Sequence, residues 1–382
     1  MNEMSEETVG FRFNESARQL AHARRGERGL EQWQKSEEHL ALNQNEAPDP
    51  PSPAVIDAIE REAHYLNRYP DHRATSLRAL LAGMLGVDEE RIIFGNGSYE
   101  IIAMLGQVAF EPGRVVAIPT PTYGRYRENA VIANANTLPV PLREDGANDP
   151  AGMIAAAAYA DIVVLCTPNN PTGAALTREE FHAIRAAVRP GCLLVVDEAY
   201  GDFSRMSGGL DALQELRTAR QSWLVIRTLS KSQGLAGLRV GYGIASDPGI
   251  IEVMEGVRGL YNVGRLAQAA AVAALKDEKH QQGIIDRTVA QRERLAQSLS
   301  AMGMRVMPSE TNFLCVRTGL EGTTVQRRLR ALGVLVSVIA EPGYADCIRI
   351  SIGTEAEMLR FLQTLTTCLD TTLSPRKGSL MA

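Results

Sequence analysis

Apolar positions recur along this chain in two rhythms. Helical spacing covers 54–67 and 75–86, while short apolar runs stand at Arg91–Gly95, Val115–Pro119, Ile162–Thr167, Cys192–Asp197, Trp223–Thr228 and Val240–Ala245. Helical stretches separate most of these runs. Near-continuous apolar strands alternating with helices predict an α/β fold, a mostly parallel sheet covered on both faces. From 265 to 302 the pattern is mainly helical. Strand-like runs at Asn312–Val316, Val334–Val338 and Ile348–Ile352 follow, with helices over 322–332 and 355–370, a smaller α+β unit. The expected division is an N-terminal arm (1–52), a large domain (53–265), a small domain (266–373) and a tail (374–382) that is expected to be disordered.

Composition narrows the function classes. The chain has 382 residues, 45% of them hydrophobic and 22% charged, which excludes general disorder and low complexity. A net charge of −5 and an aromatic content of 5% argue against a nucleic-acid surface. The cysteines Cys166, Cys192, Cys315, Cys347 and Cys368 are scattered, with no CxxC spacing; they predict free thiols in a reducing compartment and no metal site. No apolar stretch approaches the roughly 20 residues of a membrane span. The first residues lack a secretory apolar core, so the expected location is the cytoplasm.

Ligands of open parallel sheets sit at the carboxyl ends of the strands. Here those ends carry Gly97 and Ser98, Asn170, Asp197 and Tyr200, and Thr228, Ser230 and Lys231. Singly, each could be a turn or a solvated surface. Together they match the needs of pyridoxal phosphate: an amine, a carboxylate at the pyridine nitrogen, donors to the phenolic oxygen, a ring-face aromatic and a phosphate cradle. Lys231 would supply the amine, Asp197 the carboxylate, Asn170 and Tyr200 the donors. Tyr123 would stack on the ring. Gly97 and Ser98 at a helix start, with Ser230 and Arg239, would hold the phosphate.

The chain resembles fold-type I pyridoxal-phosphate aminotransferases, most closely their histidinol-phosphate branch. The motifs are NQNEAPDPPSP (43–53), RYPD (68–71), FGNGSYE (94–100), PTPTYGRY (119–126), TPNNPTG (167–173), VDEAY (196–200), RTLSKSQGLAGLRVGY (227–242), YNV (261–263), PSETNF (308–313) and IRISIGT (348–354). The resemblance implies an aminotransferase acting on an amino acid and a keto-acid acceptor, built as a homodimer with shared sites. Lys231, Asp197 and Tyr200 would be catalytic. Tyr99 and Thr228 would join the cofactor site, and Tyr69 would reach the partner's cofactor phosphate. The arm would cover the partner's site. Arg349 would bind the substrate α-carboxylate, with Asn312, Asn45 and Ser337 nearby. Alternatives on the same scaffold are a decarboxylase, cyclase or oxidase, a true histidinol-phosphate aminotransferase, or a non-catalytic sensor. The arm before Asn43 is too short for a DNA-binding module with a linker.

Several positions depart from that branch. Ser337, in GVLVSVIAEPG, stands where an arginine for the substrate phosphate is expected. Tyr99 replaces an acidic residue, Thr167 an asparagine and Leu260 a proline. The arm offers Phe11, Phe13, His22 and Trp33 in place of the usual Pro-Tyr. These departures predict a substrate that keeps an α-carboxylate and is not histidinol phosphate. Arg265 or an arginine of the arm is the candidate to replace the missing phosphate contact.

Overall fold

The computed structural model describes residues 14–28 and 39–369. The tail and the arm residues Phe11, Phe13 and Trp33 lie outside these, as does the side chain of His22. The main sheet has seven strands: β1 (Ile92–Asn96), β2 (Val115–Thr120), β3 (Asn136–Pro141), β4 (Ile162–Cys166), β5 (Leu193–Asp197), β6 (Trp223–Thr228) and β7 (Val240–Ala245). Their spatial order is β1-β7-β6-β5-β4-β2-β3. β7 pairs antiparallel with both β1 and β6, and the remaining pairs are parallel.

Alternation along each strand feeds two cores. Leu194, Val196 and Val225 face one cluster; Val195, Leu224 and Ile226 face the other. Each fully buried side chain of this size contributes about 1.5–3 kcal/mol, so a slip of one residue would exchange the two faces and is strongly disfavoured. Strand β3 is absent from the sequence reading. Its prolines, Pro139 and Pro141, and its mostly exposed side chains hide it, and both features suit an edge strand.

A second, four-stranded antiparallel sheet holds Phe313–Arg317 beside Cys347–Ser351. The run Val334–Val338 divides: Val334–Leu335 pairs with Leu40–Ala41, and Ser337–Val338 pairs with Ile348 and Arg349. Leu40 and Leu42, from the arm stretch, are buried in the apolar cluster of this second sheet. Helix Arg265–Lys276 packs into the first cluster, against helix Pro53–Ala63. Among the described residues no helix is long and apolar enough to cross a membrane.

Candidate active site

A cavity of about 480 Å³ opens at the carboxyl edge of the main sheet, closed from the other side by the strap around Asn45 and by Arg349 of the second sheet. Cys166 and Asp197 are the last residues of β4 and β5, and Thr228 is the last of β6. Arg239 precedes β7; because β7 runs antiparallel, its start lies at this same edge.

Lys231 donates from Nζ to the Asn45 carbonyl at 2.9 Å. Burial, then the neighbouring charges of Arg349 and Arg239, lower its pKa to about 8 against the opposing pull of Glu46. It is therefore far more often a free amine near neutral pH than an exposed lysine. Asp197 is 2% exposed. Burial pushes its carboxyl up to about 6, although the Ala199 N–H and the Tyr126 phenol both favour the charged form. Such a carboxylate gains by pairing with a cation.

The cradle at the start of helix Gly97–Ala109 is shaped by glycine. Gly97 has φ +71, and a Cβ there would lie 2.4 Å from the Arg239 guanidinium. A Cβ on Gly241 would lie 2.2 Å from the Ser98 nitrogen. Arg239 holds a left-handed backbone, φ 59, and its carbonyl accepts the Gly97 N–H at 2.8 Å. Helix-start N–H groups, the hydroxyls of Ser98, Thr228 and Ser230, and Arg239 thus converge as an anion site.

Arg349 donates to Asn170 Oδ1 at 2.6 Å, to the Asn43 carbonyl at 2.9 Å and to Ser337 at 3.2 Å. Its Nε is buried without a partner. Burial lowers its pKa, so a ligand carboxylate would relieve the cost of holding this charge. Asn45 Nδ2 donates to the Tyr200 hydroxyl at 2.9 Å, leaving the phenol proton available to the cavity. Asn312 does not line the cavity; its amide donates to the Asn45 carbonyl at 3.0 Å and fixes the strap.

Ser98, Tyr99, Tyr123, Asn170, Asp197, Tyr200, Thr228, Ser230, Lys231, Arg239, Asn45 and Arg349 all line this space. Tyr69 does not: it is 77% exposed and stacks on Tyr261 at 4.6 Å. Ser337 reaches the site only through Arg349. Arg265 is committed elsewhere, to Glu62 at 2.9 Å and the Tyr69 carbonyl at 2.8 Å. Three residues escape the sequence reading. Tyr126 donates to Asp197 Oδ2 at 3.0 Å. Cys166 and Glu46 line the cavity. Tyr126 lies inside PTPTYGRY, three residues from Tyr123 and in the first turn of helix Arg125–Ile132, but only packing shows that it faces Asp197.

Amine, buried carboxylate, phenol donors and anion cradle occupy one cavity, and they fit pyridoxal phosphate. The chain belongs to the class I and II aminotransferases, whose family model matches residues 37–365. It is a pyridoxal-phosphate-dependent aminotransferase of histidinol-phosphate aminotransferase type. It is 39% identical over 332 residues to the histidinol-phosphate aminotransferase of Shouchella clausii, covering 87% of this chain and 89% of that one. The Moorella thermoacetica enzyme of the same name is 36% identical over 327 residues, covering 85% and 84%. The histidinol-phosphate aminotransferase of Sinorhizobium meliloti, solved with pyridoxal-5'-phosphate, superposes with a TM-score of 0.84 at 27% identity, covering 94% of this chain and 98% of that one. An aspartate aminotransferase double mutant from Thermus thermophilus shares the fold, with a TM-score of 0.75 at 22% identity over 97% and 100% of the two chains. The family model and the curated relatives together support an aminotransferase enzyme.

Proposed function

We propose that the preferred substrate is an α-amino acid, with its α-carboxylate on Arg349 and its amine at Lys231. The buried, unpartnered Nε of Arg349 carries this reading. A planar guanidinium suits a planar carboxylate.

Pyridoxal phosphate, when bound, supplies an aldehyde that condenses with amines and a ring that delocalises charge from the substrate Cα. Lys231 is the amine that holds the cofactor at rest. With substrate in the site, the Lys231 amine would be free to act as general base and acid at the substrate Cα. Asp197 keeps the ring nitrogen protonated. Asn170 and Tyr200 would donate to the phenolic oxygen, and Tyr123 would cover the ring face. Gly97, Ser98, Tyr99, Thr228, Ser230 and Arg239 would hold the phosphate. Asn45, Asn312 and Ser337 set the strap and guanidinium that meet the substrate.

Two copies share two sites in this reading, in the cytoplasm. Tyr65, Leu66, Tyr69 and Leu260 are 56%, 64%, 77% and 72% exposed. Tyr65 and Tyr69 both meet Arg265, which lines a groove of about 650 Å³ with Arg61, Glu62 and Lys276. So many exposed large apolar side chains favour burial against a second copy, which would bring Tyr69 to the partner's phosphate. The arm would then cover the partner's site.

A second reading, histidinol phosphate as substrate, is favoured by the names of the relatives. Histidinol phosphate has no carboxylate, so its phosphate would have to take that place on Arg349, without the second arginine expected at position 337, where Ser337 stands. Comparison of kcat/KM for histidinol phosphate with a panel of amino acids tests the choice. An amino acid is expected to win. A lead of more than about tenfold for histidinol phosphate, only about 1.4 kcal/mol of transition-state binding, overturns the α-carboxylate reading.

A further inference from the structure

Behind Asp197 lies a buried charge network that the chemistry above does not use. Glu198, next in the chain, is 3% exposed, and Arg227, next to Thr228, is 6% exposed. Arg227 donates to Glu198 Oε2 from Nε at 2.9 Å and from Nη2 at 2.7 Å. Nη2 also donates to Asp211 at 2.8 Å. Glu198 Oε1 accepts the Ala212 N–H at 2.8 Å. The guanidinium thus ties the end of β5 to the end of β6, the strand that leads into Lys231, and to the start of helix Ala212–Leu216.

A carboxylate this close to Asp197 opposes a second negative charge there. We propose that Arg227 is a positioning residue for the site: by pairing with Glu198 it cancels the carboxylate beside Asp197, so that Asp197 can stand as the anion opposite the cofactor's ring nitrogen. The proposal rests on the reading of Asp197 as that partner. The other groups facing Asp197 are accounted for on each side. The Tyr126 phenol comes from helix Arg125–Ile132 and the Cys166 thiol from β4. Tyr123 lies within electrostatic range. The Ala199 N–H donates to Oδ1 at 3.0 Å. Lys231 and Arg239 share the cavity. Glu198 is the neighbour whose charge pushes the Asp197 carboxyl up. Burial works against the charge on Arg227, but Glu198 and Asp211 hold it firmly protonated, so it is a fixed counter-charge across the whole working pH range.

The test is a carboxyl titration of Asp197 by carbon NMR in the full-length, cofactor-free chain, with Asp197→Asn identifying its signal. Arg227→Met is expected to raise the midpoint by up to about one pH unit, the remaining compensation coming from Arg205, whose Nη1 lies 3.8 Å from Glu198 Oε2. Glu198→Gln leaves Arg227 paired with Asp211 and is expected to lower it. The double variant is expected to return it to the wild-type value. The pH midpoint of the bound cofactor's absorbance should move in the same order in the holoenzyme. A purely structural network would not shift the two single variants in opposite directions. Unmoved midpoints, or shifts of the same sign, overturn the proposal. Should Arg227→Met fail to fold, Glu198→Gln decides alone: an unmoved midpoint overturns it. If Asp197→Asn kept the full catalytic rate, the ring-nitrogen reading would fall while the titration result stood.

Discussion

The guanidinium of Arg349 donates to Oδ1 of Asn170 at 2.6 Å. The group read as the substrate's carboxylate anchor therefore touches the residue read as the cofactor's phenolic donor, and Asn170 serves both.

Substitutions at the two positions should separate accordingly. Arg349→Lys should raise KM for an amino acid by about 10- to 150-fold, the usual worth of a hydrogen bond to a charged group, and leave cofactor affinity unchanged. Asn170→Ala should weaken both, because it removes the Arg349 acceptor and the phenolic donor together. Cofactor titration by fluorescence beside substrate kinetics reads the two effects. An Asn170→Ala variant with intact cofactor affinity would refute the shared role.

Lys231 should be the attachment point. Borohydride reduction of the holoenzyme should fix the cofactor to Lys231, as mapped by peptide mass spectrometry, and modification of another lysine would defeat the assignment. Lys231→Ala should keep the fold and lose at least about 10²–10⁴ in rate, the range for removal of a general base. In the cofactor-free chain this amine should titrate near its lowered pKa of about 8.

Asp197 makes the stability of the cofactor-free chain depend on pH in a definite direction. Its carboxyl is raised from 3.8 to about 6. The stability it contributes is full below about pH 4 and is lost as pH rises through 6, a change of roughly 3 kcal/mol. Melting temperature should fall over that window in the wild type and less in Asp197→Asn. Cofactor should abolish the loss by pairing the charge. Tyr126→Phe removes a donor to the charged form, so the midpoint should move upward and turnover should drop about tenfold or more. A Tyr126→Phe enzyme with wild-type turnover and midpoint would show that the 3.0 Å contact is idle.

Shared sites can be tested by complementation. If Tyr69 serves the partner, mixing Tyr69→Phe with Lys231→Ala should restore activity at hybrid interfaces, up to about a quarter of wild type by random pairing of copies. The experiment presumes that each variant alone is inactive. A fully active monomer at micromolar concentration would exclude the arrangement.

The strands that carry the cofactor site were legible because buried parallel strands are continuous apolar runs. Trp223–Thr228 and Val240–Ala245 have the read boundaries, and Asp197, Thr228 and Lys231 follow from their places at or just past strand ends. Strand β3 was not legible, since an edge strand needs neither continuous apolarity nor freedom from proline. Local pattern likewise identified Gly97, whose positive φ only a residue without Cβ adopts beside Arg239. What lies far apart in the chain only packing could decide. Asn45 meets Tyr200 across 155 positions, and Arg349 meets Asn170 across 179. Arg265 carried the right charge for a phosphate, yet the fold directs it to Glu62 and the Tyr69 carbonyl. Tyr126 and the Glu198–Arg227 pair sat in motifs already read, but periodicity reports which side chains are buried and not which charge they face. That choice belongs to the three-dimensional arrangement, because electrostatic and hydrogen-bond energies depend on distances between atoms whose separation along the chain carries no trace of them.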